Sequence, residues 1–249
     1  MSESNYFKFT NSVVVAPLIG VILIWAVFWL ELQLHTNFNH FGVYPRSLKG
    51  LRGVLFSPFI HGSVEHLYNN TIPLAILTAS LFYFYKDIAI KVLVYGLLFS
   101  GLFTWAVGRP SYHIGVSGII YVLASFIFFK GIFSRYYRLV ALSLVVVFIY
   151  GSLLWYVFPI KDGISWEGHL GGFLAGLLLA FFVKANTPSP KKFDWEHEDY
   201  NEEADEFLSH FDEDGNFIER KPEEIHQEDE PVRITYHYKT KDGGNAAKD

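Results

Sequence analysis

Apolar residues fill most of positions 13–183, broken by short polar punctuation, and then stop. A helix that crosses a bilayer needs about 20 predominantly apolar residues. Six stretches meet or approach that length: 13–34 (VVVAPLIGVILIWAVFWLELQL), 64–85, 88–107 (IAIKVLVYGLLFSGLFTWAV), 117–133, 136–158 and 166–183. The pattern predicts an all-α, polytopic membrane protein with six transmembrane helices. No small-residue cleavage site follows the first run, so it reads as a retained span rather than a signal peptide. The fourth stretch is short. Its roughly 17 residues reach only about 25 Å, against a hydrocarbon thickness of about 30 Å. One of its ends is expected to stop inside the membrane or to be shielded there.

Between the first two runs lies a long loop, about 35–60, rich in glycine and aromatic residues. It reads as neither a clean helix nor a disordered linker. A half-embedded first loop packed on the bundle is expected, because irregular backbone at membrane depth must be buried in protein or line a wet cavity. Orientation follows from the lysines and arginines of the short loops. Lys86 and Lys91 lie between the second and third runs, Lys130, Arg135 and Arg138 around the junction of the fourth and fifth, and Lys184, Lys191 and Lys192 after the sixth. These share one side, which puts both termini in the cytoplasm. Arg46, Lys49 and Arg52 in the first loop oppose this, but the rule weakens in longer loops. The start of the fourth run then faces the outer side.

Charge divides the chain in two. Residues 1–183 carry 11 Lys+Arg against 6 Asp+Glu, and residues 184–249 carry 9 against 19. The expected organisation is a short cytoplasmic N-terminus (1–12), a membrane domain (13–185) and an acidic, mostly disordered cytoplasmic tail (186–249). Its DEDGN stretch at 212–216 does not match the spacing of a calcium loop, and no metal is expected. VRITYHY at 232–238 alternates and could pair as a strand with a partner, which the sequence does not identify. There is no cysteine, so neither a disulfide nor a thiolate metal site is possible. No cofactor and no nucleic-acid partner are expected.

Polar residues inside membrane segments are costly and mark function by default. Here they gather at the outer ends of three runs. The second opens with His61, His66 and Asn70, the last two sharing a helix face. The fourth opens with Ser117, and Tyr121 lies one turn below it. The sixth carries His169, with Gly172 and Gly176 on its face. A serine hydroxyl becomes a nucleophile when a base takes its proton, and His169 is the best-placed imidazole. The free N–H groups at a helix start can stabilise an oxyanion, and His66 and Asn70 could add donors. Gly115 and Gly118 allow a tight turn around Ser117. Gly171, Gly172 and Gly176 allow the sixth helix to pack closely on the fourth. Each feature also has a plain structural reading: Ser117 as a packing residue, His66 and Asn70 as a polar helix contact, His169 as a hydrogen-bonder or haem or metal ligand. His113 reads as a loop residue with no assigned partner.

Taken together, FSPFIHGSVEHLYNN with its H-x4-H-x3-N spacing, GVSG at 115–118, Tyr121 and GHLGG at 168–172 resemble the rhomboid family of intramembrane serine proteases. The likeness covers about residues 13–185. It implies a rhomboid-type bundle and a Ser117–His169 dyad with Tyr121 packed on the imidazole. It further implies an oxyanion hole of His66, Asn70 and the Ser117 N–H, with His61 structural or water-organising. The implied activity is endoproteolysis of single-span membrane proteins with helix-destabilising residues, cut within or near the transmembrane helix. A multi-pass protein of a bacterial inner membrane is the matching location. Arg52, preceded by Leu51, only loosely matches the family's Trp-Arg pair. The alternatives are a rhomboid-like pseudoprotease that binds membrane clients without hydrolysis, and a histidine-liganded redox or transport protein.

Overall fold

The computed structural model describes residues 7–160, 163–186, 193–202, 205, 207–212 and 214–218. Among these, seven α-helices form in the order α1 (Ser12–Gln33), α2 (Gly53–Phe56), α3 (Val64–Phe84), α4 (Ala89–Val107), α5 (Ser117–Ser134), α6 (Tyr137–Tyr150) and α7 (Trp166–Phe182). Six of them follow the six apolar runs, since backbone surrounded by hydrocarbon must satisfy its own N–H and C=O groups. No sheet forms among the described residues; the backbone pairs Val43 with His113 and Phe211 with Phe217 are isolated.

Three helices, α1, α4 and α5, are long and apolar enough to cross a membrane, and α6 and α7 are apolar but shorter. Helix α3 has the length but not the apolarity, because it carries His66, Asn69, Asn70, Thr71 and Thr78. The fifth run departs from the expected single helix. Helix α6 ends at Tyr150 and continues as a 3₁₀ stretch, Gly151–Val157. Gly151 and Ser152 are poor helix formers, and the tighter winding after them carries Tyr156 towards α7.

Helix α5 is the centre of the bundle and packs against α3, α4, α6 and α7. Its Val122, Leu123, Phe126 and Ile127 are completely buried, as expected of a helix that is apolar all round. Its closest neighbour is α7, whose buried face includes Gly172, Ala175 and Gly176. Helix α1 packs along α3 and leaves Val14, Leu18, Ile22 and Trp29 exposed on its other side, a surface suited to lipid.

The first loop is a series of short turns tied to the bundle. Val43 and His113 exchange backbone hydrogen bonds of 3.0 and 2.9 Å, and Arg46 N–H donates to the Trp105 carbonyl. The Trp105 indole donates to the Ser47 carbonyl at 2.9 Å. Arg52 donates to the His40 carbonyl and lies over the Phe41 ring at 4.5 Å, so it holds the loop without a tryptophan beside it.

The chain from Lys192 onward is a separate unit. Where described, it is held by local turns. Asp212 Oδ1 accepts the backbone N–H groups of Asp214 and Asn216, and the Phe211–Phe217 backbone pair closes the turn. The alternating stretch 232–238 lies outside the described residues.

Candidate active site

Ser117 is the first residue of α5 and His169 lies in the first turn of α7. The His169 Nε2 is 2.9 Å from the Ser117 Oγ. On the other side of the ring, Nδ1 is 3.0 Å from the backbone carbonyl of Tyr156. A carbonyl can only accept, so Nδ1 carries the proton and the Nε2 lone pair faces the serine hydroxyl. Tyr121 stacks on the imidazole, with ring centroids 4.3 Å apart and planes inclined by 16°. The ring is therefore held by a stack and a main-chain bond, and both help to aim Nε2 at Ser117.

Gly172 and Gly176 explain how α7 comes so near. A Cβ on Gly172 would stand 2.2 Å from the Gly118 carbonyl oxygen, and one on Gly176 would stand 2.4 Å from that of Val122. The two helices touch backbone to backbone at these positions.

The turn into α5 is fixed from the α3 side. Gly115 has φ +103°, a region that side chains rarely adopt. A Cβ there would also meet His66 Cε1 at 2.7 Å. Gly115 N–H donates to the Ser57 carbonyl at 2.9 Å. Val116 N–H reaches His61 Nε2 at 3.4 Å, and His61 is buried edge-on to the His66 ring. Asn70 Nδ2 donates to the His66 carbonyl at 3.0 Å. His66 and Asn70 thus stand beside the Gly115–Ser117 turn, where the first N–H groups of α5 have no acceptor in an earlier turn. A negative oxygen bound there would meet these donors and the positive end of the helix.

A cleft of about 510 Å³ opens onto this pair, lined by His66, Asn70, Ser117, Tyr121, Tyr156 and His169. Behind Ser117 lies a second space of about 40 Å³, lined by Ser57, Ser100, Thr104 and Ser165 among others. Its lining is part polar and part apolar, and it is large enough for a water molecule. Among the described residues no cluster of three or more metal-ligating side chains occurs. His61 and His66 lie with ring centroids 5.0 Å apart, and each of His169 and His113 uses both ring nitrogens on protein groups.

The partners of some residues in this region were not assigned from the sequence. His113 is buried, not a free loop residue. Its Nδ1 is 2.6 Å from Ser165 Oγ and its Nε2 is 3.1 Å from the Arg109 carbonyl. Burial pushes its pKa below the ordinary histidine value. Glu167 is also buried and pairs with Arg109. The signal for Glu167 was present, since it is a charge inside an apolar run. For Tyr156, which acts through its carbonyl, no side-chain signal exists.

A serine hydroxyl and an imidazole, hydrogen-bonded inside an apolar helical bundle, define a membrane-embedded protein built around a serine–histidine pair. The Rhomboid domain matches residues 49–186, more than half of the chain. The protein belongs to the rhomboid family, whose members are typically intramembrane serine proteases, and is an integral multi-pass membrane protein. It is similar to uncharacterized proteins of Mycobacterium tuberculosis and Mycobacterium bovis, each 36% identical over 158 residues, covering 58% of this chain and 64% of the relative. An uncharacterized protein of Mycobacterium leprae is 34% identical over 146 residues, covering 54% of this chain and 57% of the relative. The chain thus spans less than two thirds of the length of these curated relatives.

Proposed function

We propose that this protein is an intramembrane serine endopeptidase that cleaves single-span membrane proteins within or near their transmembrane helix. The observation that carries the reading is the 2.9 Å Ser117–His169 contact, with the His169 tautomer set by the Tyr156 carbonyl. Ser117 Oγ attacks the scissile carbonyl carbon as His169 Nε2 takes its proton. The tetrahedral oxyanion is stabilised by the Ser117 N–H, His66 and Asn70. His169 then protonates the leaving amine, and the acyl-enzyme forms. Water, deprotonated by His169, attacks the ester and releases the second product. His61, Ser63, His66 and Asn70 form a polar group through which that water can reach the site.

A peptide bond in a helix is shielded by its own hydrogen bonds, so the substrate must unwind locally. Segments with helix-breaking Gly or Pro are favoured, and a small residue before the cut is preferred. In the same reading α1 and α3 to α7 all span the membrane, both termini are cytoplasmic and Ser117 opens towards the outer side of a bacterial inner membrane. Residues 13–185 form the protease domain and 186–249 an acidic tail.

Labelling of purified protein by a fluorophosphonate, wild type against Ser117→Ala and His169→Ala, tests this. Labelling is expected in the wild type and lost in both variants, together with cleavage of a single-span reporter carrying a Gly-Pro break. A wild type that neither labels at Ser117 nor cuts such a reporter is the pseudoprotease.

A further inference from the structure

We propose that Glu167 is a positioning residue that ties the segment carrying the nucleophile to the helix carrying the base, acting through the backbone N–H of Arg109. The inference rests on the serine–histidine reading above. Glu167 is 2% exposed, in the first turn of an apolar helix, two residues before His169. A carboxylate in such a place is costly unless it is paired and hydrogen-bonded. Its Oε1 accepts the Arg109 N–H at 3.1 Å and lies 3.5 Å from the Arg109 Nε. Its Oε2 is buried with no hydrogen-bond partner among the described residues. The carboxylate does not orient the imidazole, because His169 Nδ1 already donates to Tyr156. Among the described residues no hydrogen bond joins the carboxylate to Ser117 or to His169.

What the carboxylate joins is informative. Arg109 begins the connection from α4 to Ser117, and Glu167 stands at the entry of α7. The same two segments meet again nearby. The Arg109 guanidinium donates to the Ile164 carbonyl. His113 bridges from the Arg109 carbonyl to Ser165 Oγ. The Ser165 carbonyl in turn accepts the N–H groups of Gly168 and His169 at 3.1 and 3.2 Å. Any slip between the two segments therefore moves Ser117 relative to His169. The glycine contacts farther along α7 fix how near the helices lie, and Glu167 fixes how their first turns register.

The donor is a main-chain N–H, which gives the inference a sharp consequence. Removing the Arg109 side chain leaves the Glu167–N–H bond in place, whereas removing the carboxylate deletes it. Glutamine keeps an acceptor oxygen at the same reach, and alanine does not. The full-length protein is purified as Glu167→Ala, Glu167→Gln and Arg109→Ala. Each is measured for the rate of Ser117 labelling by a fluorophosphonate, for kcat and KM on a single-span reporter, and for unfolding temperature. Glu167→Ala is expected to lower labelling and kcat by about tenfold or more with KM little changed, the loss of one charge-assisted hydrogen bond. Glu167→Gln is expected to return both to within about threefold of wild type, and Arg109→Ala to lose less than Glu167→Ala.

Three results overturn the inference: wild-type labelling by Glu167→Ala, equal impairment of Glu167→Gln and Glu167→Ala, or a larger loss in Arg109→Ala. A fall in unfolding temperature without loss of labelling makes Glu167 structural and overturns it too. Should Glu167→Ala fail to fold, Glu167→Gln against Arg109→Ala carries the test, with the glutamine variant expected to label at a near-wild-type rate. No Ser117-dependent labelling in the wild type sinks the serine–histidine reading itself and this inference with it. Labelling that ignores Glu167 sinks this inference alone.

Discussion

Adding one methyl group to Gly172 tests whether the α5–α7 contact sets the geometry of the reacting pair. Gly172 is one helical turn beyond His169 and faces the first turn of α5. A Cβ there would stand 2.2 Å from the Gly118 carbonyl oxygen and 2.9 Å from Tyr121 Cβ. Ordinary van der Waals contact begins at 3.4 Å, so the helices must part by about 1.2 Å. The obstacle is a backbone oxygen, which cannot rotate aside as a side chain would. If the displacement passes to His169, its 2.9 Å contact with Ser117 Oγ opens to about 4 Å, beyond hydrogen-bond reach. A misplacement of about 1 Å at a reacting pair costs about a hundredfold in rate. Overpacking of this kind costs about 1–3 kcal/mol of stability. Gly172→Ala is therefore expected to remain folded, with a lower unfolding temperature and about a hundredfold slower fluorophosphonate labelling of Ser117. Labelling within about threefold of wild type would refute the reasoning, because a loss of about 1 Å in alignment could not be that mild. It would mean that α7 yields without moving His169.

Asn70→Ala is expected to lower kcat by about 10²–10³-fold with KM nearly unchanged, as for loss of one oxyanion donor; steady-state cleavage of the reporter measures it. Ser63→Ala removes the hydroxyl that accepts the His66 N–H at 3.1 Å and should cost about 1 kcal/mol of stability, seen in thermal unfolding. Burial holds His113 below its ordinary value of 6.5, so the unfolded chain takes up this proton more readily than the folded one. Stability should accordingly fall as pH drops below about 6.5, and His113→Gln should make that decline shallower in unfolding temperatures measured from about pH 7.5 to 5.

The parts of the fold that were legible in the sequence are those where hydrocarbon imposes a rule on every residue. Apolar runs mark helices because backbone polar groups must be satisfied internally. His66, Asn70, Ser117 and His169 stood out because polar groups are rarely spent there without use. The end of α6 at Tyr150 was not legible as a break, since the apolar run continues through Gly151–Val157 and only the winding changes. Two atoms that hold the site were hidden for a deeper reason. The group facing His169 Nδ1 is the carbonyl of Tyr156, and the group that donates to Glu167 Oε1 is the N–H of Arg109. Main-chain atoms are present at every position, so no residue type announces them. A carboxylate search around His169 finds Glu167 by distance along the chain, yet its observed partner lies on the α4–α5 connection rather than on the imidazole. The same fact separates the two positions chemically. Side-chain exchange at 156 leaves the carbonyl that orients His169, provided the 3₁₀ stretch keeps its path. Exchange at 167 for a residue without an acceptor oxygen removes the acceptor itself, because there the side chain accepts and the backbone N–H donates.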